Sequence, residues 1–66
     1  MNTADKVAHA IGYYYGRNYG DQDISDHLAR EKESVKSNEH FALGLEEGRR
    51  AFREVSKEFR GTETLG

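Results

Sequence analysis

The sequence predicts an all-α protein, built as an antiparallel hairpin of two long helices. Three observations support this fold class. Residues 9–17, with the sequence HAIGYYYGR, recur 32 positions later as residues 41–49, with the sequence FALGLEEGR. Apolar residues in and around both segments recur with the 3.6-residue period of an amphipathic helix. Proline, which breaks helices, is absent from the chain.

The first helix is predicted over about residues 3–19. Asn2 or Thr3 caps it, and Asp5 lies in its first turn, where a carboxylate interacts favourably with the positive end of the helix dipole. Gly20 is a typical residue to end a helix. The apolar stripe of this helix consists of Ala4, Val7, Ala8, Ile11, Tyr14, Tyr15 and Tyr19.

The middle of the chain carries weaker signals. Asp23 or Ser25 is a suitable cap for a short helix over about residues 24–32, whose apolar side consists of Ile24 and Leu28. Residues 34–38 have little propensity for regular structure and supply caps for the next helix.

The final helix is predicted over about residues 38–60, with Gly61 ending it. The prediction therefore divides the chain into one helical domain, residues 1–61, and a flexible tail, residues 62–66. One continuous face of this helix carries Phe41, Leu45, Gly48, Phe52, Val55 and Phe59.

Each repeat carries two glycines four residues apart, Gly12 and Gly16 in the first copy and Gly44 and Gly48 in the second. A glycine inside a helix costs about 0.5–1 kcal/mol relative to alanine, so four of them need a compensating contact. Small residues at this spacing let two helices cross at short distance, as in membrane helix pairs. We therefore expect these glycines at the helix crossing. The expected core consists of Val7, Ile11, Tyr15, Leu45, Phe52 and Val55.

The length of 66 residues allows one small domain, which buries only about 60% of its unfolded surface. The chain has no cysteine, so neither a disulfide nor a cysteine-based zinc site adds stability. We therefore expect a homodimer or a stable complex with a partner protein. No apolar stretch is long enough to span a membrane and no signal peptide begins the chain, so a cytoplasmic location without membrane contact is expected.

The sequence contains no pattern typical of an enzyme, a cofactor site or a small-molecule substrate site. His9, His27 and His40 lack the spacing of a metal-binding helix, so no metal is expected. The glycines lie in helical segments, whereas phosphate-binding glycines lie in loops between a strand and a helix. A chain this short also lacks walls that would shield a reaction from water.

Two sets of residues are candidates for binding a partner. Three consecutive tyrosines cover about 200° of a helix, so Tyr13 or Tyr14 must face outward unless all three enlarge a small core. Such a tyrosine is suited to protein contacts or to stacking on single-stranded bases. The second set is basic and consists of Arg17, Arg49, Arg53 and Lys57. The alternatives for the bases on the second helix are a solvated, salt-bridged face, a rim for an acidic protein, and phosphate contacts.

Ala8-His9-x-x-Gly12-Tyr13-x-x-Gly16, followed by a linker, Phe41, Gly44 and the segment Leu45-Glu46-Glu47-Gly48, resembles the ribosome modulation factor family. Small phage and prophage proteins with G-[YF]-x-x-G-R repeats are also similar. The resemblance implies a helical hairpin that docks on the small ribosomal subunit and silences translation. It further implies structural roles for the matching glycines and Tyr13, and RNA contact by Arg17 and Arg49.

The leading hypothesis from the sequence is therefore a small non-enzymatic regulatory protein, a ribosome-associated translation modulator whose partner is ribosomal RNA or protein. The net charge of −2, with six acids against three bases in residues 21–40, differs from that strongly basic family. The alternative is a phage-type inhibitor that binds a host protein through its tyrosine and glycine face and uses the acidic residues within 21–39 to contact an electropositive target. Phosphate binding requires the four bases to converge in the folded chain, whereas binding a protein does not.

Overall fold

The computed structural model describes the backbone of residues 1–65 and the side chains of residues 1–58. Within residues 1–65 the regular elements are all helices, and no strand is present. The all-α fold class, with two long helices packed closely together, is confirmed. The helices in chain order are α1 (Thr3–Tyr19), α2 (Ser25–Ala29), α3 (Glu33–Lys36) and α4 (Glu39–Leu65).

Both ends of α1 are where the sequence predicts them. Asn2 and Asp5 form a capping box, because the Asn2 side chain accepts a hydrogen bond of 2.8 Å from the Asp5 amide and the Asp5 carboxylate accepts one from the Asn2 amide. At the other end Gly20 has a φ of 60°, which glycine adopts without strain. The Gly20 amide still donates a hydrogen bond of 2.9 Å to the Gly16 carbonyl oxygen.

The connection between the long helices contains two short helices where the sequence predicts one over residues 24–32. The Asp23 carboxylate accepts a hydrogen bond of 2.9 Å from the Ser25 amide before α2 begins. Hydrogen bonds from the Ser25 side chain and amide lower the pKa of Asp23. At the far end of the connection, the Asn38 side chain accepts a hydrogen bond of 2.9 Å from the His40 amide. The second short helix, α3, was not predicted.

The last helix, α4, begins at Glu39 and runs to Leu65, five residues past the predicted end at residue 60. Gly61 lies inside this helix and does not end it. The side chain of Phe59 and the last residue of the predicted tail, Gly66, lie outside the described residues.

The predicted antiparallel direction of the hairpin is wrong, because α1 and α4 run parallel to each other. The beginnings of both helices are joined by a hydrogen bond of 3.0 Å, which the side-chain nitrogen Nδ2 of Asn38 donates to the Asp5 carboxylate. The end of α1 meets the middle of α4, where Arg49 donates a hydrogen bond of 3.0 Å to the Gly20 carbonyl oxygen. The prediction places one short helix in the connection and returns the chain antiparallel to α1. In the structure the connection, with its two short helices, carries the chain back along α1 to the start of the pair.

The glycines of the repeat are buried between the two helices. A Cβ atom added to Gly12 would lie within 3.0 Å of the Phe41 carbonyl oxygen, and one added to Gly44 would lie equally close to the His9 carbonyl oxygen. His9 and Phe41 are equivalent positions of the repeat, as are the two glycines. The repeat is therefore reflected in three dimensions as an approximate two-fold symmetry along the helix pair.

The second pair of glycines repeats this arrangement one turn later. A Cβ atom on Gly16 would lie 2.6 Å from the Arg49 amide nitrogen, and one on Gly48 would lie 2.7 Å from the Arg17 amide nitrogen. Each would also lie 2.9 Å from a backbone carbon of the other glycine. At these positions the backbones of α1 and α4 touch each other directly.

The core differs in part from the predicted one. Its apolar members with exposed fractions of at most 5% are Ala8, Ile24 and Phe41. Val7 and Val55 were predicted to be buried, yet they are 47% and 46% exposed, because Val7 lies on the side of α1 away from α4 and Val55 lies beyond the end of α1. The other four predicted core residues, Ile11, Tyr15, Leu45 and Phe52, are half-buried.

Candidate functional site

The three consecutive tyrosines are divided between surface and interior. Tyr13 and Tyr14 are exposed, by 39% and 57% of their surfaces. Tyr15 is half-buried and packs edge-on against Phe41 of α4, with 6.3 Å between the ring centres. Successive residues of a helix are rotated by about 100°. When Tyr15 faces the core, Tyr13 and Tyr14 therefore point in other directions.

Tyr15 also holds the connection against α1. Its hydroxyl donates a hydrogen bond of 2.9 Å to the Glu31 carboxylate. This bond, together with desolvation and the negative charge of Glu31, raises the pKa of Tyr15. One turn later the ring of Tyr19 packs on the His27 ring at 4.6 Å between centres. The aromatic side chains on this side of α1 are therefore occupied by the protein's own connection.

Arg49 has a structural partner inside the chain. Its Nε–H bond points at the Gly20 carbonyl oxygen, one of the oxygens that the last turn of a helix leaves without an intrahelical partner. A cation at this end also interacts favourably with the helix dipole. Arg17 is the counterpart of Arg49 in the repeat. It does not cap a helix end, because α4 continues beyond the level at which α1 ends.

Arg53 and Lys57 lie one turn apart on α4 and line the same open groove of about 380 Å³. Arg53 is paired with Asp21 at 3.0 Å and lies 3.8 Å from Glu46. Asp21, Phe52 and Ser56 complete the lining. The groove therefore carries two cations and one carboxylate, and that carboxylate is paired with Arg53.

The four predicted bases are not brought to one surface. Arg53 and Lys57 share the groove, Arg49 is bonded to Gly20, and Arg17 lies on α1 at the helix crossing, where its amide nitrogen is close to Gly48. Arg17 is half-buried and has no ion pair or hydrogen bond among the described residues. The convergence that phosphate binding requires is absent from this arrangement.

A second surface, the outer face of α1, includes Tyr13, Tyr14 and Arg17, which the sequence predicts to bind a partner. We use this name for Lys6, Val7, Ala10, Tyr14 and Arg17, with Tyr13 at its edge. Lys6, Ala10, Tyr14 and Arg17 follow one another at intervals of four, four and three positions, and Val7 lies three positions before Ala10. Val7, Ala10 and Tyr14 are exposed on the side of α1 away from the buried glycines, and Arg17 is half-buried at the edge of this face. The signal was available in the sequence, because Val7, Ala10 and Tyr14 form a second apolar stripe.

The histidines bind carboxylates across the helix pair. His9 Nε2 lies 2.9 Å from a Glu47 oxygen, and His40 Nε2 lies 3.7 Å from an Asp5 oxygen. The hydrogen bond from Asn38 is the main cause that lowers the pKa of Asp5, with the charge of His40 a smaller one. Within the described residues no group of three or more potential ligands is placed to hold a metal ion.

The helices form a thin slab, whose Cα atoms span 46 × 26 × 11 Å. A thickness of 11 Å corresponds to about one layer of helices, so the described residues do not enclose a deep cavity. No described helix is both long and apolar enough to cross a membrane. Comparison with protein families, characterised proteins and solved structures finds no match.

Proposed function

We propose that this protein is a small non-enzymatic regulatory binding protein that engages a protein partner through the tyrosine-bearing side of α1. The observation that carries the proposal is the exposure of Tyr13 and Tyr14, by 39% and 57%, on a folded helix. Tyrosine is enriched among the residues that dominate protein–protein binding energy, because it buries a large area with few rotatable bonds. The glycines contribute no contact surface, since they are buried between α1 and α4.

The spread of the bases favours a protein partner over ribosomal RNA. Affinity for RNA depends on many cations that neutralise neighbouring phosphates and release counterions. Here Arg49 is bonded to a backbone oxygen and Arg53 to Asp21, while Arg17 lies on another surface. A ribosome-associated role stays a prediction from the family resemblance.

For the four glycines we propose the role of setting the distance between α1 and α4. Backbone atoms of the opposite helix occupy the space that a side chain at any of these positions needs. The role is structural and keeps the tyrosine-bearing helix fixed to its neighbour.

Self-association is a further proposal, and it concerns a different surface. Val55 is 46% exposed on the part of α4 that extends beyond α1. A second copy that covers it adds apolar burial to a chain with a small core. Sedimentation of the wild type and of Val55→Glu at tens of micromolar tests this. Compact monomer for both chains contradicts the proposed homodimer.

The proposed function is tested by affinity capture from a cell lysate at low and moderate salt. Three baits are compared: the wild type, the double variant Tyr13→Ala/Tyr14→Ala, and the double variant Arg53→Ala/Lys57→Ala. Both variants change exposed side chains, and circular dichroism establishes that the helices persist. Arg49 is left unchanged because its loss would weaken the fold.

The expected result is one stoichiometric protein without RNA, which is retained by the Arg53 and Lys57 variant and lost from the tyrosine variant. Recovery of small ribosomal subunits that falls steeply with salt and disappears in the basic-residue variant supports the ribosomal function instead. A partner that binds all three baits equally contradicts the role of the tyrosines.

A further inference from the structure

We propose that the outer face of α1 binds in an apolar groove with an acidic rim on the partner protein. This inference rests on the function proposed above and specifies the chemistry of the partner. Three features of the described residues carry it. They are the shape of this face, its positive charge, and its poor match to the α4 groove and the outer face of a second copy.

The shape is that of a helix that inserts into a groove. Val7, Ala10 and Tyr14 follow the spacing i, i+3 and i+7, which aligns their side chains along one line of the helix. All three are exposed, Val7 by 47% and Tyr14 by 57%. Helices that bind in apolar grooves present their anchoring residues at this spacing. The opposite side of α1 is filled by α4, so this is the side of α1 that remains open.

The charge on this face is entirely positive. Lys6 and Arg17 lie along one side of the apolar line. They are about 16 Å apart, for 11 residues of helix, and neither has an ion pair among the described residues. Asp5, the one acid of α1, forms its hydrogen bond with Asn38 instead. Two cations without partners therefore border an apolar line, in a chain whose net charge is −2.

Two exposed arginines of α4 have ion-pair partners within the chain. Arg50 lies 3.7 Å from Glu46, and Arg53 lies 3.0 Å from Asp21. Lys6 and Arg17 have no such partner among the described residues. Acidic residues around the partner's groove would supply the ion-pair partners that Lys6 and Arg17 lack within the chain.

The groove on α4 of a second copy is a poor match for this face. Arg53 and Lys57 repel Lys6 and Arg17, and Asp21, the one acid in the lining, is already paired with Arg53. Two outer faces packed antiparallel would bring the Lys6 and Arg17 flanks of both copies together, since these residues lie on the same side of the apolar line. RNA is disfavoured because two cations separated by 16 Å neutralise few phosphates.

The test is site-specific photo-crosslinking with the full-length chain. A photoreactive phenylalanine derivative replaces Tyr14, and in a control it replaces Gln22, an exposed residue of the connection. The Tyr14 probe is then combined with Lys6→Glu/Arg17→Glu or with the matched control Arg30→Glu/Lys32→Glu. Both pairs of substitutions change the net charge equally, and circular dichroism establishes that each variant is folded.

We expect a crosslinked protein from position 14 and not from position 22, with its crosslinked peptide flanked by Asp or Glu. Its yield should fall about fivefold or more in Lys6→Glu/Arg17→Glu and less than about twofold in the control. An equal fall in both variants, or none in either, overturns the acidic rim while leaving a protein-binding function in place. Crosslinks to a second copy or to RNA overturn the inference as well. No crosslink from position 14 contradicts the proposed function itself.

Discussion

An alanine at position 44 is the most direct perturbation of the helix pair. The methyl carbon it adds would lie 2.9 Å from the carbonyl carbon of His9 and 3.0 Å from the amide nitrogen of Tyr13. The His9 carbonyl oxygen would be closer still. Non-bonded heavy atoms pack at about 3.5–4.0 Å, so the two helices must separate by roughly 1 Å or more. Since the obstructing atoms belong to the backbone, no change of side-chain rotamer relieves the clash.

The magnitude follows from two opposing terms. Forcing an extra methyl group into a packed interface costs about 1–3 kcal/mol, and here the rigid neighbours favour the upper end. Replacing glycine by alanine inside a helix recovers about 0.5–1 kcal/mol. We expect a net loss of about 1–2 kcal/mol from the free energy of unfolding, which is about 3–5 kcal/mol for a chain of this size. The midpoint of thermal unfolding should fall by roughly 5–15 °C.

The measurement is thermal unfolding of Gly44→Ala followed by far-UV circular dichroism. The matched control is Ala42→Gly, which changes helix propensity alone at an exposed position of the same helix. A rise in the melting temperature of Gly44→Ala that is about as large as the fall in Ala42→Gly would contradict the predicted clash. That result would show that helix propensity alone determines the effect and that the backbones of α1 and α4 have room for a methyl group.

Two further predictions concern contacts at the ends of α1. Arg49→Met removes the hydrogen bond to the Gly20 carbonyl oxygen and should lower the free energy of unfolding by about 0.5–1.5 kcal/mol. The control Arg50→Met removes only an exposed ion pair and should change this free energy little. Equal losses in the two variants, measured by urea unfolding, would refute the capping role of Arg49. The pKa of Asp5 is lowered in the folded chain, so its stabilising effect is complete above its ordinary pKa of about 4 and is lost as the pH falls through the lowered value. Asp5→Asn should therefore lose less stability than the wild type between pH 7 and pH 3, and an identical loss in both chains would contradict this assignment.

The bounds of α1 could be predicted from the sequence, whereas the direction of α4 could not. The bounds of α1 follow from Asn2, Asp5 and Gly20, whose local chemistry acts within a few residues. The direction of α4 depends on contacts such as that between Asn38 and Asp5, which lie 33 residues apart. Local propensity carries no information on such a pairing, and the length of the connection permits either direction.

The exposure of apolar residues was predictable only in part for the same reason. Periodicity correctly placed Phe41 and Leu45 on the side of α4 that faces α1, but it assigned Val55 to the core because it could not show which part of α4 lies beside α1. The bases were grouped by charge alone. Arg49 became a cap and Arg53 an ion-pair partner only through their position opposite the end of α1, which depends on the parallel arrangement.

The parallel arrangement also has a consequence for how the chain folds. Contacts that fasten α1 to α4 join residues between 29 and 38 positions apart, so no turn of the chain can bring them together locally. Each helix can form within about a microsecond, but their docking must wait for the closure of a loop nearly half the length of the chain. Folding should therefore be slower than in a helical hairpin of equal length. Its rate should respond more to the length and stiffness of the connection than to helix propensity in α1 or α4.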